Sequence, residues 1–323
     1  MQIISNPTQV EIRKAAQALI DGHLVAFPTE TVYGLGADAK NEKAVSRVYS
    51  VKARPIDHPL IVHISSINQL GKWAINIPEY AIKLAEEFWP GPMTLILKRS
   101  EIAKDFITGG QENVGVRVPS HPVALALLSE FEKLGGLGVA APSANRFGKV
   151  SPTSSTDVQE DLGKYLDDTD QILDGGRSLV GIESTIINCL SGMPEVLRPG
   201  LITLEAITRV TGINVKIVGS TNEIKTPGVL PVHYSPKAKV VTQGVAKQGE
   251  GFLALANSET PQGAIRLAAP LTVDQFAKQL YEALRLADQK GLSKVVVIPP
   301  EGIGLAMAIR DRLNKATGNP DLH

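Results

Sequence analysis

The stretch LVAFPTETVYGLG at 24–36 restricts the fold more than any other part of the sequence. Leu24 to Phe27 is a short apolar run, and Pro28 closes it because proline brings no amide proton to a sheet ladder. Thr29, Glu30, Thr31 and Tyr33 then crowd polar groups into a place that ordinarily needs only a turn. Gly34 and Gly36 relieve the backbone sterically, leaving room for a ligand against the main chain. A strand followed by such a turn is where α/β sheets place ligands, and the bland alternative is an ordinary glycine-containing βα turn.

The flanking sequence alternates helical and strand patterns. Thr8 with Glu11 forms a capping box, Ile12, Ala15, Ala16 and Leu19 recur at helical spacing, and Gly22 supplies a stop. Further helices are predicted over 43–51, 79–88, 122–131 and 204–210, the second of these stopped by Trp89-Pro90-Gly91-Pro92. The almost wholly apolar PLIVHI at 59–64 predicts a buried central strand, with others at 93–97, 114–118, 137–140, 184–189 and 194–197. Some neighbours are joined too tightly for parallel crossovers, so a mixed sheet covered by helices is expected. The Pro-, Gly-, Ser- and Thr-rich segment 218–236 has no sustained period and reads as a linker carrying a His233-Tyr234 pair. Beyond it come strands at 238–241 and 252–256, a helix from Asp274, a strand at 294–298 and a last helix. The first of these helices bears Phe276, Leu280, Leu284 and Ala287 on one stripe, with Thr272 and Gln275 placed for capping.

Bulk properties narrow the function. A length of 323 residues predicts two domains, and equal numbers of basic and acidic residues (33 each) disfavour a dominant nucleic-acid binder, so tRNA contact is expected to be weak or transient. The single cysteine, Cys189, excludes an intrachain disulfide framework and reads as a core thiol in a reducing compartment. No apolar stretch approaches the ~18 residues of a membrane span, so a cytoplasmic protein without membrane contact is expected.

Four clusters carry possible chemistry. Lys52 and Arg54 point to one side of an extended chain, which suits phosphates or else a solvated basic loop; His58 and His63 follow, and His63 is either a satisfied core group or a binding group facing a pocket. Arg117 interrupts the Val-rich strand NVGVRVP and must meet a carboxylate, internal or on a ligand, because an unpaired buried guanidinium costs several kcal/mol. APSANRFGKVSPTS at 141–154 offers Ser143, Asn145, Ser151 and Thr153 as a cradle for phosphate or ribose. GIESTI at 181–186 and LRPG at 197–200 place Glu183, Ser184, Thr185 and Arg198 at strand ends. Walker A, dinucleotide, nucleophile-elbow and zinc-ligand spacings are all missing from the sequence. What remains is an anionic-substrate site that works by positioning and electrostatics.

PTETVYGLG, the KxR of 52–54, PLIVHI, WPGPMTLIL, VGVRVP, APSAN, GIESTI and LRPG, in that order from about 27 to 200, resemble the YrdC/Sua5 family of threonylcarbamoyl-AMP synthases. The linker and second unit resemble the longer Sua5 form. The resemblance implies an α/β fold with a YrdC-like twisted mixed sheet and flanking helices around a concave cavity, plus a small Rossmann-like C-terminal domain. The implied divisions are 1–212, a linker or lid at 213–236, and 237–323. It implies ATP, L-threonine and bicarbonate as substrates, threonylcarbamoyl-AMP and pyrophosphate as products, and a place as the first step of tRNA t6A modification at position 37. Downstream tRNA threonylcarbamoyl-transfer proteins would be partners, and Mg2+ would arrive with ATP, without a dedicated protein metal site. Carried over by position, Lys52 and Arg54 would be catalytic, and Thr31, His63, Arg117, Ala141 and Ser184 would bind threonine. Arg54, His58, Asn113, Ser143, Asn145, Ser151, Arg198 and Tyr234 would bind ATP. His58 stands where the family commonly has Asn, and the linker lacks the family's basic residues. The linker is expected to cross the cavity mouth with Tyr234 near the nucleotide. Competing readings are a carbamoyl-adenylate or carbamoyltransferase enzyme, a non-catalytic RNA-binding module, and a regulatory nucleotide-responsive protein.

Overall fold

The computed structural model describes residues 1–218, 224–226 and 234–317. His233 and half of the expected lid, 219–223 and 227–233, lie outside the described residues. The larger sheet contains β1 (Gln2–Ser5), β2 (Val25–Phe27), β3 (Gly34–Asp38), β4 (Ile61–His63), β5 (Met93–Lys98), β6 (Asn113–Arg117), β7 (Val139–Ala140), β8 (Gln171–Asp174), β9 (Thr185–Asn188), β10 (Glu195–Arg198) and β11 (Lys216–Ile217). Their spatial order is β1-β8-β2-β3-β7-β4-β6-β5-β9-β10-β11. Parallel pairs such as β4 with β6 and β5 with β9 alternate with antiparallel pairs such as β5 with β6, so the sheet is mixed.

Helix boundaries follow their local chemistry. The helix Gln9–Ile20 carries the capping box between Thr8 and Glu11. Glu79–Phe88 ends before the prolines, and Pro122–Lys133 starts with proline in its first turn and His121 as its N-cap. Gln9–Ile20 and Pro122–Lys133 pack together over Val25, Phe27 and Val139. The opposite face is buried against Glu42–Lys52, Glu79–Phe88 and Leu204–Thr211. Side-chain alternation then separates two roles on the central strands. Val62 and Val116 enter the main core, whereas their neighbours His63 and Arg117 face a hollow on the other side.

The turn at 28–33 is not the ordinary βα turn of the bland alternative. No helix follows it; β2 and β3 are adjacent antiparallel strands, and the polar residues occupy the loop between them. Gly36 serves packing and not ligand access, since a Cβ there would lie 2.7 Å from Val139 and 2.9 Å from Phe27. Four strands were not evident from local pattern: β1, β3, β8 and β11. The helix Ser155–Leu162, N-capped by Ser154, is a further element without a local signal; Thr153 donates its amide and hydroxyl to Asp157, which takes that hydroxyl out of the expected cradle.

The C-terminal lobe holds β12 (Lys239–Val241), β13 (Gly251–Leu253), β14 (Ile265–Ala268) and β15 (Lys294–Val297), all parallel in the order β12-β15-β13-β14. The expected pattern lacked β14. Phe276, Leu280 and Leu284 of the helix Val273–Gln289 share one apolar cluster with Val32, Val150 and Ile182 of the larger lobe. The two lobes therefore have a common core where the loops of the hollow meet the second lobe.

Candidate functional site

An open hollow lies over β3, β4, β6 and β10, walled in part by Glu183 and Ser184 just before β9. Of the residues expected to bind or act, Thr31, Arg54, His63, Arg117, Ala141, Ser143, Ser184, Arg198 and Tyr234 line it together. Lys52, His58, Asn113, Asn145 and Ser151 do not line it. Thr29, Gly34 and Glu183 join the lining as well.

Strand register sets one end of the hollow. His63 on β4 and Arg117 on β6 are paired neighbours, so imidazole and guanidinium emerge side by side. The carboxylate that Arg117 requires is internal: Nη2 donates to Glu30 Oε1 at 2.6 Å, Nη1 to Thr31 Oγ1 at 2.9 Å, and Nε to the Gly91 carbonyl at 3.3 Å. Glu30 is completed by the Ser120 amide at 3.1 Å. An arginine has five N–H donors, so these bonds leave one on each Nη without a protein partner among the described residues, a fork suited to a ligand carboxylate. Thr29 accepts from the amides of Thr31 and Val32, which fixes the loop so that Thr31 reaches Arg117. Burial, and then Arg117, push the His63 pKa down to about 3, so its ring is neutral near pH 7. Its Nδ1 is buried with no hydrogen-bond partner among the described residues, and its ring sits edge-on to Phe27 at 5.9 Å.

The opposite end is cationic and built around the 143–147 turn. Arg54 donates Nε to the His58 carbonyl at 3.3 Å and Nη2 to that of Pro59 at 2.9 Å, and its guanidinium lies 5.5 Å from the Phe147 ring centre. Burial lowers its pKa to about 10, still charged at neutral pH. Lys52 stands behind the wall, its ammonium holding the carbonyls of Ser143 and Asn145. Asn145 in turn ties the turn down through the carbonyls of Arg146 and Lys149, both at 2.8 Å. Burial pushes the Lys52 pKa well below the ordinary lysine range, with Arg54 adding in the same direction. His58 packs edge-on against Phe147 at 5.3 Å, outside the hollow. Asn113 begins β6 while Arg117 ends it, a separation of about 13 Å at ~3.3 Å per residue. From the linker, the Lys225 ammonium reaches Asp57 at 2.7 Å, and its backbone amide and carbonyl pair with the side-chain amide of Gln111 at 2.8 and 3.0 Å.

The third wall comes from 183–184 and 198. Arg198 donates to the Ser184 carbonyl at 3.0 Å and to its hydroxyl at 3.1 Å, and Ser184 also meets Thr94 at 2.8 Å. Glu183 accepts from Ser151 at 2.6 Å, Tyr281 at 2.8 Å and Arg312 at 2.8 Å. Burial alone would raise its pKa, but Arg312 and Arg198 outweigh that and bring it down to about 2. Tyr234, in the left-handed region at φ 61°, stacks on Tyr281 at 5.7 Å. The polar loop around Glu30 and the GIESTI cluster were visible in sequence, but Tyr281 and Arg312 lie on amphipathic helices and carry no local signal. Among the described residues, no group of three His, Cys, Asp or Glu side chains could hold a metal ion.

Residues 17–200 match the Sua5–YciO–YrdC family model, described as "Telomere recombination", and 202–318 match the model described as "Threonylcarbamoyl-AMP synthase, C-terminal domain". The Pyrococcus abyssi threonylcarbamoyl-AMP synthase is 42% identical, the alignment covering 95% of this chain and 94% of the relative. The Bacillus subtilis protein of the same name is 39% identical, over 95% of this chain and 93% of its own length. The crystal structure of P. abyssi Sua5 complexed with L-threonine superposes with a TM-score of 0.88 at 38% identity, covering 99% of this chain and 98% of that one.

Proposed function

The chain belongs to the Sua5/YrdC family in its two-lobed form, and on that footing we propose how its hollow carries out the synthesis of threonylcarbamoyl-AMP from L-threonine, bicarbonate and ATP. The reaction is a nucleotidyl transfer and the first step of tRNA t6A modification at position 37; its product passes to tRNA threonylcarbamoyl-transfer proteins in the cytoplasm. The observation that carries this reading is the convergence of Arg54, Arg117 and Arg198 on one hollow beside a neutral His63. Arg117 and Thr31 take the threonine carboxylate, with His63 Nδ1, Ala141 and Ser184 around the remainder of the amino acid. Arg54, Ser143, Arg198 and Tyr234 receive the nucleotide, with Asn113 and His58 at its margin, while Lys52, Asn145 and Ser151 hold the surrounding backbone and carboxylate.

Bicarbonate-derived CO2 adds to the free threonine amine, which loses a proton and becomes a carbamate. A carbamate oxygen attacks the α-phosphorus and the bond to pyrophosphate breaks, giving a mixed anhydride, pyrophosphate and one water from bicarbonate. No covalent bond to the protein forms. ATP enters as its Mg2+ complex, the ion belonging to the substrate's phosphates. Fixed guanidinium charges stabilise the developing negative charge without reorganising during the step. The deciding measurement is pyrophosphate release from ATP: dependence on both L-threonine and bicarbonate is expected, whereas release indifferent to threonine overturns the assignment.

A further inference from the structure

We propose that Arg312, on the last helix of the C-terminal lobe, is a positioning residue for the substrate hollow: with Tyr281 it fixes Glu183 and clamps together the two wall segments that carry Ser184 and Arg198. The proposal rests on the reading of the hollow as the substrate site, and goes beyond it by giving the second lobe a defined part in its geometry.

Arg312 is wholly buried in the helix Leu305–Thr317. Its Nε donates to Glu183 Oε2 at 2.8 Å, while Nη2 reaches the Pro199 carbonyl at 3.0 Å and the Glu183 carbonyl at 3.4 Å. One planar group thus bridges position 183 and position 199, each adjacent to a residue of the hollow wall. Tyr281 donates to the same carboxylate at 2.8 Å, and Ser151 fills its other oxygen at 2.6 Å. Asp311 balances the far side of the guanidinium and also accepts from Lys315. Glu183 itself rests on the second lobe, because the Gly181 loop touches the helix Val273–Gln289 so closely that a Cβ would lie 2.5 Å from Lys278 Cα.

A buried ion pair is a weak device for stability, since matched apolar side chains often replace one without loss. Its distinctive property is geometric: a carboxylate with three donors and a rigid fork has one orientation. The low Glu183 pKa agrees with a carboxylate kept ionised as a structural acceptor and not as a proton carrier.

The test is a double-mutant cycle in the full-length chain, read as kcat/KM for threonine-dependent pyrophosphate release. Arg312→Gln and Tyr281→Phe are each expected to lower it by about tenfold, the scale of a lost bond to a charged group. In a Glu183→Gln background Tyr281→Phe is expected to cost less than about twofold, because it acts through that carboxylate, whereas Arg312→Gln keeps only the part of its loss that comes from the Pro199 carbonyl. Equal losses in both backgrounds, or no loss in either single variant, overturn the proposal. Tyr281→Phe removes one oxygen and carries the test should Arg312→Gln fail to fold. A crystal structure of Arg312→Gln, or of Tyr281→Phe in that case, gives a readout independent of turnover. A displaced Glu183 that has lost Ser151 upholds the clamp even if the wild-type chain makes no pyrophosphate; an unmoved Glu183 defeats it.

Discussion

Replacing Glu30 by glutamine takes the counter-charge away from a guanidinium buried at 4% exposure. The loss is expected to be about 3–5 kcal/mol in denaturant unfolding, because a stranded buried charge costs more than the pair contributes. An unchanged midpoint would mean that water reaches Arg117. Arg54→Ala tests the other end of the hollow. Removal of one charge-stabilising group is expected to slow adenylate formation by about a hundredfold, and unchanged ATP–pyrophosphate exchange would take that role from it. Single residues of this kind were legible in sequence when they broke a pattern, as Arg117 does in a valine strand. Their partners were not: Glu30 is 87 positions from Arg117, and nothing local pairs the two. Lys52 shows the opposite limit. Its basic character was evident, but only the fold reveals that its ammonium is committed to two carbonyls behind the wall.

Elements bounded by a capping box or by prolines were readable nearly to the residue, as in Gln9–Ile20 and Glu79–Phe88, whereas β4 spans only Ile61–His63 of the expected 59–64. The failures cluster where tertiary pairing overrides weak local preference. β3 is Gly34–Asp38, a run of low strand propensity that is held because β2 and β7 flank it and supply its hydrogen bonds. Its glycine is demanded by the neighbours on either side: Gly36→Ala pushes a methyl against Val139 and Phe27. Overpacking of this sort costs roughly 1–3 kcal/mol. A lowered melting temperature with substrate affinity intact is therefore expected, and a more stable variant would show that the β2–β3–β7 layer has slack.

Two buried groups give the whole molecule a signed response to acid. The folded chain holds His63 at about 3 against an ordinary 6.5, so its contribution is complete above 6.5 and declines as pH falls towards 3. Glu183, held at about 2 against 4.5, adds a second loss that begins only below 4.5. His58 and His121, also depressed by burial, act in the same sense as His63. Melting temperature is expected to fall gently from pH 6.5 to 4.5 and more steeply below, with His63→Asn flattening the first limb; a flat profile down to pH 4 would contradict the burial. Removal of 237–323 would bare Val32, Val150 and Ile182 and leave Glu183 without Arg312. Loss of threonine-dependent turnover is expected, and a fully active truncated chain would make the second lobe dispensable. The two-lobed arrangement was legible from the linker's composition, but their shared core was not, because it joins residues that are neighbours only after both lobes have folded.

Glu183 and Arg312 are 129 positions apart. During synthesis the carboxylate therefore leaves the ribosome long before its cation exists, and the wall it belongs to has to wait for the final helix. Fragments ending early would carry a chamber whose Glu183 wall lacks Arg312, and are expected to release less threonine-dependent pyrophosphate than the full chain.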